Sequence, residues 1–248
     1  MKIKSLLLET EKPGNYLTYE QYEDLKLRYD FAFKNSKKGR ILEIGAGFCV
    51  GRPIISQNKR TVVETDITLE GLTLAKKNYK NLFAVRCDAH SLPFSDNSFD
   101  TVIALGTVIY LDFNIFIKEC LRVLKKKGKF IFNIANMEHP EFKKPAVGKN
   151  FLPLSEIISR LKDRFLIEVY GRKTVSFSFF KKTALTLLYL LPCGRYIKEF
   201  FVRFFMKSVK LDSELKISEP VKNDLIKIDL SSDSIKDFIV FYFVCLKK

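Results

Sequence analysis

Glu43, Gly45 and Gly47 form the first group of residues that could do chemistry. They close an apolar run at residues 41–44, which has the composition of a buried parallel strand. Two glycines after a strand let the backbone turn and approach a ligand more closely than a side chain would allow. Because Glu43 would repel a pyrophosphate but could hold an amino group, the pattern indicates a ligand-binding loop and points away from NAD.

A second carboxylate lies at a spacing typical of ribose recognition. Asp66 ends the predicted strand 61–66, 21 residues beyond Gly45. An acidic residue about 20 residues after such a loop meets a ribose hydroxyl in nucleotide-binding βαβ units. Glu64 competes for this role, but Asp66 is preferred because it lies at the strand end, where we expect it to accept both ribose hydroxyls.

Residues 38–135 resemble the class I S-adenosylmethionine-dependent methyltransferases, whose first motif is a hydrophobic strand, an acidic residue and Gly-x-Gly. The resemblance implies that S-adenosyl-L-methionine is the cofactor and that Glu43 lies beside its ammonium group. It also implies that the Asp88-Ala89 pair meets the adenine. The cofactor-binding residues expected on this basis are Glu43, Gly45, Ala46, Gly47, Asp66, Ile67, Asp88, Ala89, Leu105 and Gly106.

The chain departs from the family pattern in the glycine loop. Cys49 stands where the family usually has a third glycine, and the next glycine is Gly51. The chain also has no Asn-Pro-Pro-Tyr or Asp-Pro-Pro-Tyr segment. The resemblance therefore does not extend to enzymes that methylate exocyclic base amines.

Candidates for the chemical step follow two later strands. Ligands in open parallel sheets bind beyond the carboxyl ends of the strands, which places residues 105–107 and Tyr110 around the reactive sulfonium. His139, in the loop after the next predicted strand, is the candidate general base because imidazole exchanges protons near neutral pH. Tyr110 is the other candidate catalytic residue. An incidental loop histidine is the alternative for His139. His90 is interpreted as an exposed loop residue, with contact to the edge of the cofactor as the alternative.

These residues must be positioned by one α/β domain. Alternating apolar runs and amphipathic segments predict a doubly wound, Rossmann-like, mostly parallel seven-stranded sheet with an antiparallel last strand. In the N-terminal helix, Tyr16, Tyr19 and Tyr22 either line the substrate entrance or pack on the sheet. The single domain, residues 1–248, divides into a helical cap (1–37), a cofactor-binding core (38–170), a basic, aromatic-rich helical insertion between strands six and seven (171–234), and the last strand (235–248).

Composition restricts the class of protein. The formal net charge of +15 indicates an anionic partner, with a generally lysine-rich proteome as the alternative. Five cysteines without a CxxC pair suggest neither a disulfide framework nor a zinc site, so no metal is expected. The first residues lack the pattern of a cleaved leader, which predicts a cytoplasmic protein.

The predicted insertion carries much of the positive charge. Residues 172–210 contain nine Lys or Arg and one Glu. The apolar run 184–191 is too short to span a bilayer, which needs about 20 residues. Between Arg195 and Lys210, polar residues recur at helical spacing opposite an aromatic face, which predicts a helix that lies on an anionic membrane or covers the substrate pocket. Under the first alternative, residues 183–210 attach the protein peripherally to the inner membrane face.

Together, these patterns predict methyl transfer from S-adenosyl-L-methionine to a small, apolar or lipid-linked acceptor, such as a quinone precursor. An RNA methyltransferase is the first alternative, suggested by the positive charge, but the chain contains no recognisable RNA-binding module and nucleic acid is the less favoured partner. The second alternative is a membrane-surface binding protein that keeps a cofactor fold without catalysis.

Overall fold

The computed structural model describes residues 12–13, 16–142, 144, 148, 150–173, 208–210, 225–230 and 233–248. The strands are β1 (Tyr16–Thr18), β2 (Arg40–Ile44), β3 (Thr61–Asp66), β4 (Phe83–Arg86), β5 (Phe99–Ala104), β6 (Leu124–Ala135), β7 (Phe165–Lys173), β8 (Ser208–Lys210), β9 (Leu225–Lys227) and β10 (Phe238–Lys247). The helices are α1 (Tyr19–Asn35), α2 (Arg52–Ile55), α3 (Leu69–Asn78), α4 (Phe113–Val123) and α5 (Leu154–Leu161), with 3₁₀ turns at Val108–Tyr110 and Asp233–Asp237. None of these described helices has the length and apolar composition of a membrane span.

The main sheet contains eight strands in the order β4-β3-β2-β5-β6-β10-β7-β9. Strands β2 to β6 pair in parallel, whereas β10 runs antiparallel between β6 and β7. The predicted doubly wound α/β fold with an antiparallel last strand is confirmed. Because the strand order reverses between β2 and β5, a ligand crevice is expected beyond the carboxyl end of β2.

Both faces of the sheet are covered, and the central strands alternate between two cores. Phe132 and Phe243 belong to the core under α4 and α5, where their rings stack with centroids 4.4 Å apart. Ile131 and Tyr242 belong to the opposite core with α1, where Phe31 meets the Tyr242 ring edge-on at 5.2 Å. Successive side chains of a strand point to opposite faces, so strands buried on both faces are apolar at consecutive positions.

The described part of the predicted insertion contains strands. β9 pairs with β7 at the sheet edge and adds an eighth strand to the seven predicted. β8 pairs antiparallel with β1 in a separate ribbon, so the prediction of a helix from Arg195 to Lys210 is wrong for Ser208–Lys210, whose backbone pairs with another strand. The rest of the insertion, residues 174–207, 211–224 and 231–232, lies outside the described residues.

Candidate active site

A cavity opens at the carboxyl ends of β2, β3, β4 and β5, where the strand order reverses. Tyr110 lines it from the 3₁₀ turn that follows β5. Glu43 and His139 are absent from the described residues of its wall. The other predicted cofactor-binding residues all line the cavity: Gly45, Ala46, Gly47, Asp66, Ile67, Asp88, Ala89, Leu105 and Gly106.

Backbone hydrogen bonds shape the glycine loop at one wall of the cavity. The N–H groups of Gly45 and Ala46 both donate to the carbonyl of Thr65, at 2.8 and 2.9 Å. A Cβ on Gly45 would stand 2.1 Å from Thr107 Oγ1, so a side chain there would clash. A Cβ on Gly47 would meet none of the described atoms within 4 Å. The main chain at Gly47 therefore borders open space that a ligand can enter.

Cys49 adopts the conformation expected of a third glycine. Its φ is +54°, and its buried side chain packs with Ala46 and α3. Gly51 meets a different requirement, because a Cβ there would stand 1.9 Å from the ring of Tyr29. Burial raises the pKa of the Cys49 thiol, and neighbouring carboxylates add to the effect. The departure from the family motif thus preserves the turn, at the cost of a left-handed residue that bears a side chain.

Asp66 connects the glycine loop to the loop after β3. Its Oδ2 accepts the N–H of Gly47 at 2.8 Å, and its Oδ1 accepts both the N–H and the hydroxyl of Thr68, at 2.8 and 2.6 Å. A carboxylate oxygen accepts about two hydrogen bonds. The described residues therefore saturate Oδ1 and leave Oδ2 room for one more donor, so this geometry accommodates one ribose hydroxyl rather than the two expected.

Glu64, the alternative ribose ligand, lies outside the cavity wall. Its side chain is fully buried and pairs with Arg52, whose second terminal nitrogen donates to Asn81 O at 2.7 Å. Burial raises the pKa of Glu64 to about 7, and Arg52 acts in the opposite sense. The strand-end position of Asp66 is therefore the one that reaches the ligand space.

The Asp88 side chain is oriented by His90. Its Oδ1 accepts both the N–H and the Nδ1–H of His90, at 2.9 and 2.7 Å. The His90 Nε2 accepts the N–H of Asp112 at 2.8 Å, which assigns the ring proton to Nδ1. His90 lines the cavity and is not the exposed loop residue expected. The described residues leave Oδ2 of Asp88 available to accept a donor from a ligand.

The loop after Asp88 and Ala89 is anchored on α4 by an arginine–glutamate pair. Arg122 Nη2 donates to Leu92 O, at 2.8 Å, and Nη1 donates to Phe94 O, at 2.6 Å. Glu119 Oε2 accepts the N–H of Leu92 at 2.7 Å, and it also accepts from Arg122. Each of these charge-assisted bonds restrains the loop that carries the expected adenine ligands.

Glu43 is expected beside the ammonium group of the ligand, but the structure buries it away from the cavity wall. Its side chain is 1% exposed, and its Oε1 accepts a 2.9 Å hydrogen bond from the hydroxyl of Tyr29. Tyr29, on α1, lines the cavity. Because Glu43 points towards α1, its contact with the site is made through Tyr29.

The two candidate catalytic residues occupy different positions. His139 lies in the loop after β6, and its Nδ1 accepts the N–H of Glu141 at 3.0 Å. A general base must reach the proton it removes, so this position does not support that role for His139. Tyr110 lines the cavity, next to the loop in which the N–H of Gly106 donates to Asn133 Oδ1 at 2.8 Å.

Helix α1 supplies wall residues that sequence reasoning missed, namely Arg28 and Tyr29. Tyr22 packs against the core, and Tyr19 is half exposed; neither of these two lines the cavity. The spacing of the tyrosines could have identified Tyr29, because it lies two helical turns after Tyr22 and so lies on the same inward face of the helix. Further wall residues without a predicted role are Ile44, Phe48, Val50, Thr65, Cys87 and Leu111.

Comparison with known families agrees with this geometry. Residues 42–132 match the model of a methyltransferase domain, and this segment contains the cavity loops after β2, β3, β4 and β5. Over these residues the chain is similar to a methyltransferase domain, and its sheet has the fold of class I S-adenosylmethionine-dependent methyltransferases. The resemblance noted over residues 38–135 is confirmed, and S-adenosyl-L-methionine is the cofactor that such a domain implies.

Curated relatives of this methyltransferase domain align over part of their length. A fatty-acid O-methyltransferase of Mycolicibacterium smegmatis is 30% identical over 124 residues, which cover 47% of this chain and 45% of that protein. A ubiquinone/menaquinone biosynthesis C-methyltransferase of Rickettsia prowazekii is 41% identical over 81 residues, or 30% of this chain and 33% of that protein. The chain thus spans less than half the length of these relatives.

Solved methyltransferase structures share the fold over most of the chain. An S-adenosylmethionine-dependent methyltransferase from Thermotoga maritima superposes with a TM-score of 0.56 at 18% identity, covering 92% of this chain and 95% of that one. A second, from Archaeoglobus fulgidus, superposes with a TM-score of 0.55 at 16% identity, covering 92% and 94%.

The residues of the cavity fit S-adenosylmethionine. The ribose hydroxyls and the adenine amine of this cofactor are hydrogen-bond donors, and Asp66 and Asp88 each retain an acceptor oxygen towards the cavity. The missing side chain of Gly47 leaves the space that a bound molecule needs beside the main chain. Gly47, Asp66 and Asp88 are therefore the residues of this domain that would hold it.

Proposed function

We propose that this chain transfers a methyl group from S-adenosylmethionine to a small, apolar or lipid-linked acceptor. The observation that supports this best is the composition of one cavity. Asp66 and Asp88 present carboxylates to it, and the loop after β5 lines it with Leu105, Tyr110 and Leu111. A polar cofactor and an apolar acceptor can therefore meet in the same cavity.

The main contribution of the protein to this reaction is to align the two reactants. When bound, S-adenosylmethionine supplies a methyl group on a positively charged sulfur, and the acceptor atom forms its bond to the methyl carbon as the carbon–sulfur bond breaks with its electron pair left on sulfur. Holding two reactants in line supplies much of the rate of such a reaction. The loops anchored by Asp66, Asn133 and Arg122 are suited to that task because each has fixed hydrogen bonds to a neighbouring element.

The relatives are consistent with an apolar acceptor. One is named for a fatty acid and another for ubiquinone and menaquinone biosynthesis. The compounds in these two names differ in chemistry but share an apolar body, which is the property that the wall formed by Leu105, Tyr110 and Leu111 would select.

Labelled methyl transfer tests the proposal. The protein is incubated with methyl-labelled S-adenosylmethionine and, separately, with lipid and quinone extracts, polar small molecules and RNA. We expect label in the organic phase of the lipid reaction. Label confined to RNA would replace this proposal with the RNA alternative, and no transfer despite tight cofactor binding would support a binding protein without catalysis. Asp66→Ala with Asp88→Ala is the control, because it removes both ligand-facing carboxylates.

Residues 183–210 motivate the additional proposal that the protein docks on an anionic membrane. This rests on the basic and aromatic composition of that segment, since each basic residue near an anionic surface contributes about 1 kcal/mol. Sedimentation with anionic and neutral vesicles tests it for wild type and for Phe204→Ser with Phe205→Ser. Equally weak binding of both proteins to both kinds of vesicle would reject docking.

A further inference from the structure

His90 joins two walls of the cavity. Its Nδ1–H donates to Asp88 Oδ1 at 2.7 Å, and its Nε2 accepts the N–H of Asp112 at 2.8 Å. Asp88 follows β4, whereas Asp112 closes the loop after β5 and caps α4. One imidazole ring thus bridges the expected adenine ligand and the loop that is expected to face the acceptor.

The wall segment, residues 107–112, is also anchored by the loop after β6. Asn150 donates its backbone N–H to Ile109 O at 3.1 Å and its Nδ2–H to Leu111 O. Tyr110 and Leu111 line the cavity from this segment. The bonds of Asn150 end at residue 111, and the bond at residue 112 adds a link to the loop after β4.

The bridge through His90 is open to solvent at its Asp88 end. The side chains of Asp88 and His90 are 53% and 28% exposed, so water competes for the hydrogen bond between them. A ligand that covers Asp88 removes this water, and hydrogen bonds become stronger where the local dielectric constant is lower. The bridge should therefore be weaker in the open cavity than in a cavity that an adenine occupies.

We propose that His90 is a positioning residue that couples binding of an adenine at Asp88 to the placement of the wall segment, an inference that rests on the proposed function. A donor on Asp88 Oδ2 fixes the carboxylate, which holds the ring of His90 and, through it, the wall segment. Tyr110 and Leu111 then take their final positions only after the cofactor has bound. The acceptor should therefore bind after the cofactor, and because coupling between two sites is reciprocal, an apolar ligand on the wall segment should tighten cofactor binding.

Two substitutions each keep one half of the bridge. In His90→Asn, the side-chain amide lies near the position of Nδ1, so it can donate to Asp88 but cannot reach Asp112. In His90→Gln, the side-chain carbonyl lies near the position of Nε2, so it can accept the N–H of Asp112 but no longer supplies the donor at Nδ1. The backbone N–H of His90, which donates to Asp88 Oδ1 at 2.9 Å, is present in both variants.

Solvent exchange of the Asp112 N–H, measured by NMR with and without saturating S-adenosylhomocysteine, tests the coupling. In wild type, the ligand should slow this exchange by about 3- to 10-fold, which corresponds to the strengthening of about one hydrogen bond. Without ligand, His90→Asn should exchange about 3- to 10-fold faster than wild type, whereas His90→Gln should stay within about twofold of it. The ligand should change the exchange by less than about twofold in either variant, because each lacks one half of the bridge.

Two controls separate this coupling from a general effect. The N–H of Arg40 also donates to a side chain, Asp100 Oδ2 at 2.9 Å, but it lies at the start of β2, at the opposite edge of the sheet from the cavity, so its exchange should not respond to the ligand. Calorimetry should give both variants an affinity for S-adenosylhomocysteine within about tenfold of wild type, so that all three proteins can be saturated.

If one variant does not fold, the other still tests the bridge, because each lacks a different half. Wild-type exchange at Asp112 that is unchanged by bound S-adenosylhomocysteine would overturn the inference. Equal slowing in wild type and in the variants would overturn it as well, because the ligand would then protect the N–H by covering it directly. A wild type that binds no S-adenosylhomocysteine would reject the proposed function and, with it, this inference.

Discussion

The N–H of Gly47 donates a 2.8 Å hydrogen bond to Oδ2 of Asp66, which ties the glycine loop after β2 to the end of β3. The same oxygen keeps room for a hydrogen bond from a ligand. One carboxylate therefore shapes the loop and offers an acceptor to the cavity, and the two contributions can be separated by mutation.

Asp66→Ala should weaken S-adenosylhomocysteine binding by about 1 to 3 kcal/mol, because both the loop and the ligand lose a charge-assisted hydrogen bond. Calorimetry measures this loss directly. Thr68→Val is the matched control, since it removes a hydroxyl that donates only to Oδ1 and leaves Oδ2 intact. An equal loss in both variants would show that the loop after β3, and not the acceptor oxygen, determines affinity.

Tyr29→Phe should lower the free energy of unfolding by about 1 to 3 kcal/mol, since it removes the hydroxyl that donates to buried Glu43. Urea denaturation checks the value, and a double-mutant cycle with Glu43→Gln isolates the pair. Tyr170→Phe is the control: its hydroxyl donates to Glu168 on the exposed surface, so a change of less than about 0.5 kcal/mol is expected. Similar losses in both phenylalanine variants would argue against the buried bond as the cause.

The fold could be predicted from the apolar strands, and much of the site could be predicted from the residues at their carboxyl ends. Residues 61–66 form β3 as predicted, and consecutive apolar positions identify the buried strands whatever surrounds them. Asp66 ends β3 and Asp88 lies two residues beyond β4, so the rule that ligands bind beyond the carboxyl ends of parallel strands places both at the cavity wall.

Other features depend on tertiary packing that local sequence does not contain. Lys125–Gly128 has the composition of a helix terminus, yet Leu124 is buried and starts β6, and Lys125 pairs with Asp100 at 2.9 Å. Arg28 reaches the cavity only because α1 packs across the sheet. A 3.6-residue period identifies an apolar face, but not the charged residue at its border that lies in the cavity wall.

Replacement of Cys49 should reveal the backbone strain in the glycine loop. At a φ of +54°, a Cβ is unfavourable by roughly 1 to 2 kcal/mol. Cys49→Gly should therefore be more stable than Cys49→Ala by about 1 kcal/mol, although both lose the same buried sulfur. Cys49→Val should be the least stable, because branching at Cβ makes this conformation worse. Thermal unfolding ranks the three, and an alanine variant more stable than the glycine variant would contradict a left-handed residue 49.

The positions of Tyr110 and His139 lead to opposite expectations for turnover. Loss of a general base lowers the rate about 100- to 10,000-fold, but His139 is not among the described wall residues, so His139→Ala should retain activity within about twofold of wild type. Tyr110→Ala should lower kcat/KM by about tenfold or more, because misalignment of reactants is costly. Both should bind S-adenosylhomocysteine normally. A large loss of turnover in His139→Ala alone would restore the general-base hypothesis.

Glu64 should make stability fall as pH rises from about 4.5 to about 7. Burial raises its folded-state pKa from 4.5 to about 7, against the opposing effect of Arg52. Between these values, the folded protein holds a proton that the unfolded chain has released, so the free energy of unfolding decreases with pH across this window and is level above it. The total change should be roughly 1 to 3 kcal/mol.

Urea denaturation at several pH values from 5 to 8, for wild type and Glu64→Gln, measures this contribution. The glutamine variant cannot release the proton, so its stability should lack the decrease that wild type shows over that interval. Glu168→Gln is the control, because a hydrogen bond from Lys227 lowers the pKa of Glu168. The stability that Glu168 contributes is lost only as pH falls below the ordinary glutamate range, so this variant should keep the wild-type slope. If Glu64→Gln kept that slope as well, another buried group would have to account for it, and the Glu64–Arg52 pair would be ionised at all these pH values.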